Sequence, residues 1–195
     1  LGWDDRSRNA PEIAAMAERL GVKAITVHGR TRQQFYTGTA DWRAVADVKA
    51  ATALPVIVNG DIVDAPSARA ALEQSGADAV MIGRGAYGRP WVAAAMDRAL
   101  SSGSEMSEPE PASRLGIALD HFTDTLRFYG DALGLKIFRK HLGWYVEQAL
   151  CPADPAARRA AKSRLCQIDN ANDVESALVA LWSNSALPIL VPAHI

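Results

Sequence analysis

The sequence predicts an α/β fold: the C-terminal part of a TIM (β/α)8 barrel, about three βα units, followed by a small all-α helical domain. Three observations predict it. Short apolar, β-branched runs at Val22–His28, Val56–Val58 and Ala79–Ile82 recur with a period of roughly 20 to 30 residues, each separated from the next by a helical pattern and a short loop. The second and third runs end in Asn59-Gly60-Asp61 and Gly83-Arg84-Gly85, and no glycine-rich dinucleotide fingerprint follows any strand, which favours a barrel over a doubly wound sheet. Beyond residue 105 the apolar spacing is helical throughout. Three strands cannot close a barrel of eight, so roughly five further βα units are expected to belong with this chain.

The elements follow in order. Asn9 and Glu12 resemble a capping box, and Ile13, Met16, Ala17 and Leu20 then fall at helical spacing before Gly21. Val22–His28 suits a strand buried on both faces. A polar loop, Gly29–Ala40, leads to Asp41, which can cap a helix carrying Val45 and Val48, and Pro55 precedes the second strand. Asp64 caps a helix with Ala68, Ala71 and Leu72, Gly76 closes it, and the third strand follows. Pro90 opens one more helix. Ser101–Pro111 is rich in Ser, Glu and Pro and reads as a linker, so the partial barrel is expected over 1–104. A helical domain is expected over 105–185. Its first helix carries Leu115, Leu119, Phe122, Leu126 and Tyr129 to Gly130, and its second Leu135, Phe138, Leu142 and Tyr145. Asp154-Pro155 starts a third and Asp173–Trp182 is a fourth. The apolar tail 186–195 carries no functional expectation.

The chain has 195 residues, 49% hydrophobic and 22% charged, which is enough to bury a core and reads as globular, with disorder not the default. No apolar run approaches the roughly 18 residues that a membrane span needs. Leu1–Asp5 offers neither an initiator Met nor a signal-peptide pattern, so a cytoplasmic protein is expected. Cys151 and Cys166 form no C-x-x-C, which argues against a disulfide scaffold or a zinc site. Net charge is −1, but seven Lys or Arg between Lys136 and Arg164 face only Glu147 and Asp154, an expected basic surface.

Three places can carry chemistry. Backbone N–H groups at barrel strand ends grip phosphate, and Gly60, Gly83 and Gly85 would let the backbone approach while Arg84 adds charge-assisted hydrogen bonds. His28 stands at the end of the first strand, where it can hydrogen-bond a cofactor ring or substrate or serve only as a structural rim residue. Asp61 would repel a phosphate unless turned away, so backbone or hydroxyl contacts suit it better than acid chemistry.

The motifs Leu-Gly-Trp-Asp at 1–4, Val-His-Gly-Arg-Thr-Arg at 27–32, Ala-Asp-Trp at 40–42, Pro-Val-Ile-Val-Asn-Gly-Asp-Ile at 55–62, Gly-Ala-Asp-Ala-Val-Met-Ile-Gly-Arg-Gly-Ala at 76–86 and Gly-Arg-Pro-Trp at 88–91 stand in one order. Together they resemble the tRNA-dihydrouridine synthases, and the match is close to a bacterial type. The likeness is dense to about residue 100 and looser beyond, where Arg139-Lys140-His141 and Trp144-Tyr145 fit the pattern. It implies an FMN barrel with a helical tRNA-binding domain, reducing uridine to 5,6-dihydrouridine with NADPH as reductant. On the same resemblance His28 contacts flavin, Asn59, Gly60 and Asp61 form one flavin loop, Gly83 and Arg84 hold the phosphate, and Arg139, Lys140 and His141 face RNA. The family's proton-donating cysteine and a flavin-holding lysine belong to segments before Leu1, so this chain is expected to be inactive alone, and Cys151-Pro152 does not take the cysteine's role. Two alternatives stand beside this: another phosphate-binding barrel, such as a dihydroorotate dehydrogenase-like flavoprotein or a non-redox isomerase, and a non-catalytic RNA-binding module.

Overall fold

The structure, a computed structural model, describes residues 1–149 and 152–182; Cys151, the end of the expected helical domain (183–185) and the tail 186–195 lie outside the described residues. The described residues divide into two compact units, Leu1–Ala86 with Val92–Ser107, and Tyr87–Trp91 with the described residues from Glu108 onward.

In the first unit, parallel strands β1 (Ile25–His28), β2 (Val56–Asn59) and β3 (Ala79–Met81) pair in the order β1-β2-β3. The helices are α1 (Ala10–Arg19), α2 (Arg43–Ala50), α3 (Ala65–Ser75) and α4 (Val92–Ser102). Ile25 pairs with Val56, and Val27 with Val58, which pairs in turn with Val80. These residues share one face, and with Val45, Val48, Ala68, Ala71, Val92 and Met96 they build the core. The opposite face carries Thr26, His28, Ile57, Asn59, Ala79 and Met81, none of them buried. Strands buried on both faces are therefore not what the described residues form: one face is covered by helices and the other is open.

Two helix starts differ in quality. Asp64 accepts from Ser67 N–H at 2.8 Å, a complete capping box at α3, and Gly76 closes that helix in the left-handed conformation. Asn9 makes no side-chain cap, because its backbone (φ −110°, ψ 16°) is not extended. The apolar stripe expected there also turns outward: Ile13, Met16 and Leu20 are exposed, and Ala14 is the buried residue of α1. A small side chain at that contact suits α1 lying against α2.

The second unit contains α5 (Pro111–Tyr129), α6 (Asp131–Gln148), α7 (Pro155–Leu165) and α8 (Ala171–Trp182). Phe122, Phe138, Leu142, Tyr145, Leu165, Leu178 and Leu181 form its core. Asp154 caps α7 through Ala157 N–H at 2.7 Å. Tyr87–Trp91 belongs here: Tyr87 stacks on Trp144 at 3.8 Å, and Arg89 and Trp91 both bond Glu108. Gly88 has φ +70°, and a Cβ there would lie 2.3 Å from the Trp144 carbonyl oxygen. None of the helices among the described residues is long and apolar enough to cross a membrane.

Candidate functional site

His28, Asn59 and Met81 are paired across the three strands at the C-terminal edge of the sheet, on its open face. Asn59 Nδ2 donates to the Met81 carbonyl at 2.8 Å, which fixes the amide and turns Oδ1 toward His28 Nδ1 at 2.5 Å. An amide oxygen only accepts, so His28 Nδ1 is the donor. On the other side of the ring, Nε2 lies 3.5 Å from Arg30 Nη1, a group that only donates. Both neighbours thus select one tautomer, with the proton on Nδ1 and an accepting lone pair on Nε2. Nitrogen NMR of the His28 ring is expected to show that tautomer; a proton found on Nε2 in place of Nδ1 would contradict the network.

Arg30 joins this pair to the next loop. Its side chain is 2% exposed. Nε donates to the Thr37 carbonyl at 3.1 Å, and Nη2 to the Gly38 carbonyl at 2.7 Å and to Asp61 Oδ2 at 2.6 Å. Asp61 also accepts from Ala40 N–H at 2.8 Å and, through Oδ1, from Arg84 at 3.4 Å. Partial burial works to raise the Asp61 pKa, but the hydrogen bond from Arg30, that from Ala40 and the two guanidinium charges outweigh it and hold the carboxyl below its ordinary value. Asp61 is therefore an ionised brace, already occupied by two arginines. Its backbone is left-handed (φ 54°), a conformation aspartate tolerates, and it follows Gly60 at φ +116°. Trp42 Nε1 fastens the Gly60 carbonyl at 2.8 Å.

Arg84 opens a short turn, Arg84–Ala86, and its side chain is half exposed, with the guanidinium 4.8 Å from the Tyr36 ring centroid. The strand-end glycines do different things. A Cβ on Gly83 would meet nothing, whereas one on Gly85 would come 2.7 Å from the Ile62 carbonyl oxygen, so Gly85 is required by packing and Gly83 leaves an open approach. The structure thus brings His28, Asn59, Gly60, Asp61 and Arg84 to one edge of the first unit. Arg30 and Trp42, quoted in motifs but given no role from the sequence, tie that edge together.

The helical unit places its candidates differently. Lys136 and Lys140 are exposed on α6. Arg139 is half-buried, with Nη2 on the Ile168 carbonyl at 3.4 Å and Nε buried without a partner. His141 is half-buried among aromatic rings, 4.6 Å from His121 and 5.1 Å from Trp144. Burial, then the His121 and Lys140 charges, pushes its pKa down to about 4, so it is neutral near pH 7. Tyr145, which continues the family pattern just after that basic run, is 1% exposed and bonds His121 Nδ1 at 3.1 Å; burial raises its pKa to about 12. Arg158 turns inward too, donating to the carbonyls of Pro152, Glu147 and Ala149, which include the last carbonyls of α6. Lys162 pairs with Glu147. The basic surface therefore reduces to Lys136, Lys140, Arg159 and Arg164.

The sequence model of one protein family, described as dihydrouridine synthase, matches residues 1–181. A probable tRNA-dihydrouridine synthase of Rhodobacter capsulatus is 54% identical over 173 residues, 80% of this chain and 51% of that protein. One of Rickettsia bellii is 50% identical over 145 residues, 74% of this chain and 44% of the relative. The tRNA-dihydrouridine synthase B of Xanthomonas campestris pv. campestris is 42% identical over 180 residues, 92% of this chain and 54% of the relative. The chain spans about half the length of the relatives it matches.

Proposed function

The chain belongs to the dihydrouridine synthase family, and we propose that it supplies the FMN-gripping strand ends and the RNA-facing helices of an enzyme reducing uridine in tRNA to 5,6-dihydrouridine. The observation that carries this is the convergence of His28, Asn59, Gly60, Asp61 and Arg84 on one open sheet edge, where ligands of parallel barrels bind. The residues fit a flavin mononucleotide. Arg84 offers an exposed guanidinium for a phosphate and Gly83 an unobstructed backbone, while His28 stands half-buried at the same strand end with its ring fixed between Asn59 and Arg30. Asp61 holds Arg84 and Arg30 in place, so its charge is spent before a phosphate arrives. FMN when bound supplies hydride chemistry, with NADPH as its reductant. Reduction of the C5–C6 bond also needs a proton donor, which none of this chain's residues is assigned to provide.

A complete barrel requires five further strands, whichever polypeptide carries them, so the 195-residue chain alone is expected to form no dihydrouridine. The open strands β1 and β3 are where those strands would add. A second reading, a phosphate-binding barrel for a small molecule, leaves the exposed lysines of α6 without a task. tRNA binding tests the RNA half. Replacing Lys136 and Lys140 with Ala is expected to weaken binding and lower the slope of log K against log salt by roughly 1 to 2. Arg158→Ala is expected to destabilise the helical unit instead. An unchanged salt slope in the double lysine variant would reject this face as an RNA contact.

A further inference from the structure

We propose that the loop Gly29–Ala40 carries a contact surface for single-stranded RNA, centred on Arg32 and Phe35 and set beside the strand-end site; this rests on the tRNA reading above. The loop contains two arginines and no carboxylate. Arg30 is consumed inside, which leaves Arg32 exposed, its guanidinium 5.4 Å from the Phe35 ring centroid. Phe35 and Tyr36 are 60% and 56% exposed and meet edge to face at 4.7 Å. Trp3, 62% exposed, is joined to the loop by its carbonyl, which accepts from Gln33 N–H at 2.9 Å. Phe35 thus stands beside the Arg32 charge with Tyr36 against it, Trp3 is exposed where its backbone meets the loop, and Arg84 over Tyr36 links the rings to Asp61.

The loop is not slack. Thr31 N–H donates to Gln34 Oε1 at 2.7 Å, Thr37 N–H to the Gln34 carbonyl at 2.8 Å, Arg32 N–H to the Gly2 carbonyl at 2.9 Å, and Arg30 holds Thr37 and Gly38. Within this brace Phe35 sits at φ 52°, a left-handed conformation that disfavours a bulky L residue. Glycine would relax it, yet the position holds a ring that gains little burial in return. Unpaired bases offer π faces to such rings and phosphates to the arginine, whereas a duplex hides its bases. A protein partner would be recognised by apolar burial, and an arginine-only loop selects a polyanion.

The test uses the 195-residue chain with oligouridine of roughly ten nucleotides and an RNA duplex of equal length as probes. Phe35→Ala leaves the charge intact and is expected to weaken oligouridine binding about fivefold or more while leaving duplex binding unchanged. Phe35→Gly should lose the same binding with no drop in melting temperature, and Phe35→Trp should restore it. Equal oligouridine affinity in parent and Phe35→Ala would overturn the proposal, as would an equal loss on the duplex. A parent that dimerises and an Ala variant that does not would assign the patch to a second copy and overturn it too. If the parent binds oligouridine and tRNA but Phe35→Ala changes neither, this inference falls and the tRNA reading stands; if the parent binds neither, both fall.

Discussion

Arg30→Ala is expected to destabilise the first unit by about 3 kcal/mol, the low end for breaking a buried ion pair, because Asp61 retains some contact with water. The substitution strands the Thr37 and Gly38 carbonyls, leaves Asp61 Oδ2 with the Ala40 N–H and no buried counter-charge, and removes the donor facing His28 Nε2. Lysine should not rescue it, since a single ammonium cannot span acceptors spread around a planar guanidinium. Denaturant unfolding reads the loss directly; a variant within about 0.5 kcal/mol of the parent would contradict the role given to Arg30. The pH dependence gives a second readout. Asp61 has a folded pKa below its ordinary value, so its stabilisation is fully present above the ordinary carboxylate range and is lost as pH falls through the lowered value. Acid sensitivity from this source should shrink in Arg30→Ala, because the guanidinium that lowers the pKa is gone.

Gly60→Ala is expected to cost about 2 kcal/mol or more and to displace His28. At φ +116° an L side chain is strained whatever the space, and the new methyl would sit 2.7 Å from Ala40 Cβ and 3.2 Å from His28 Cε1. Ala40 is held by its N–H on Asp61, so the ring is the part that yields, breaking its bond to Asn59. Loss of the single His28 tautomer in the variant's NMR spectrum would confirm the displacement. An unshifted ring signal with unchanged stability would refute it.

Much of the site was legible because strand ends announce themselves. A β-branched run that stops at glycine places His28, Asn59 and Arg84 at one edge whatever the details of packing. Helix ends were legible where the cap is a carboxylate in extended backbone, as at Asp64 and Asp154, and not at Asn9, whose residue type allows a cap that its backbone angles do not make. Exposure of long cationic side chains was the least legible. Arg30, Arg139 and Arg158 each read as surface from the sequence, yet each turns its guanidinium onto carbonyls from residues 6 to 29 positions away. That choice depends on which chain ends meet in three dimensions. Tyr145 illustrates the converse: its helical spacing with Phe138 and Leu142 marks a core residue even though it lies beside a basic run, and it is buried.

The central claim is that this chain carries the cofactor grip of a flavin barrel. FMN retention tests it most directly, measured on the chain joined in frame to the N-terminal half of the Rhodobacter capsulatus relative so that the strands can close. The chimera is expected to purify yellow with bound FMN, and Arg84→Ala to release it by weakening the phosphate contact. A colourless chimera that folds, or a yellow one whose FMN affinity is unmoved by Arg84→Ala, would contradict the account.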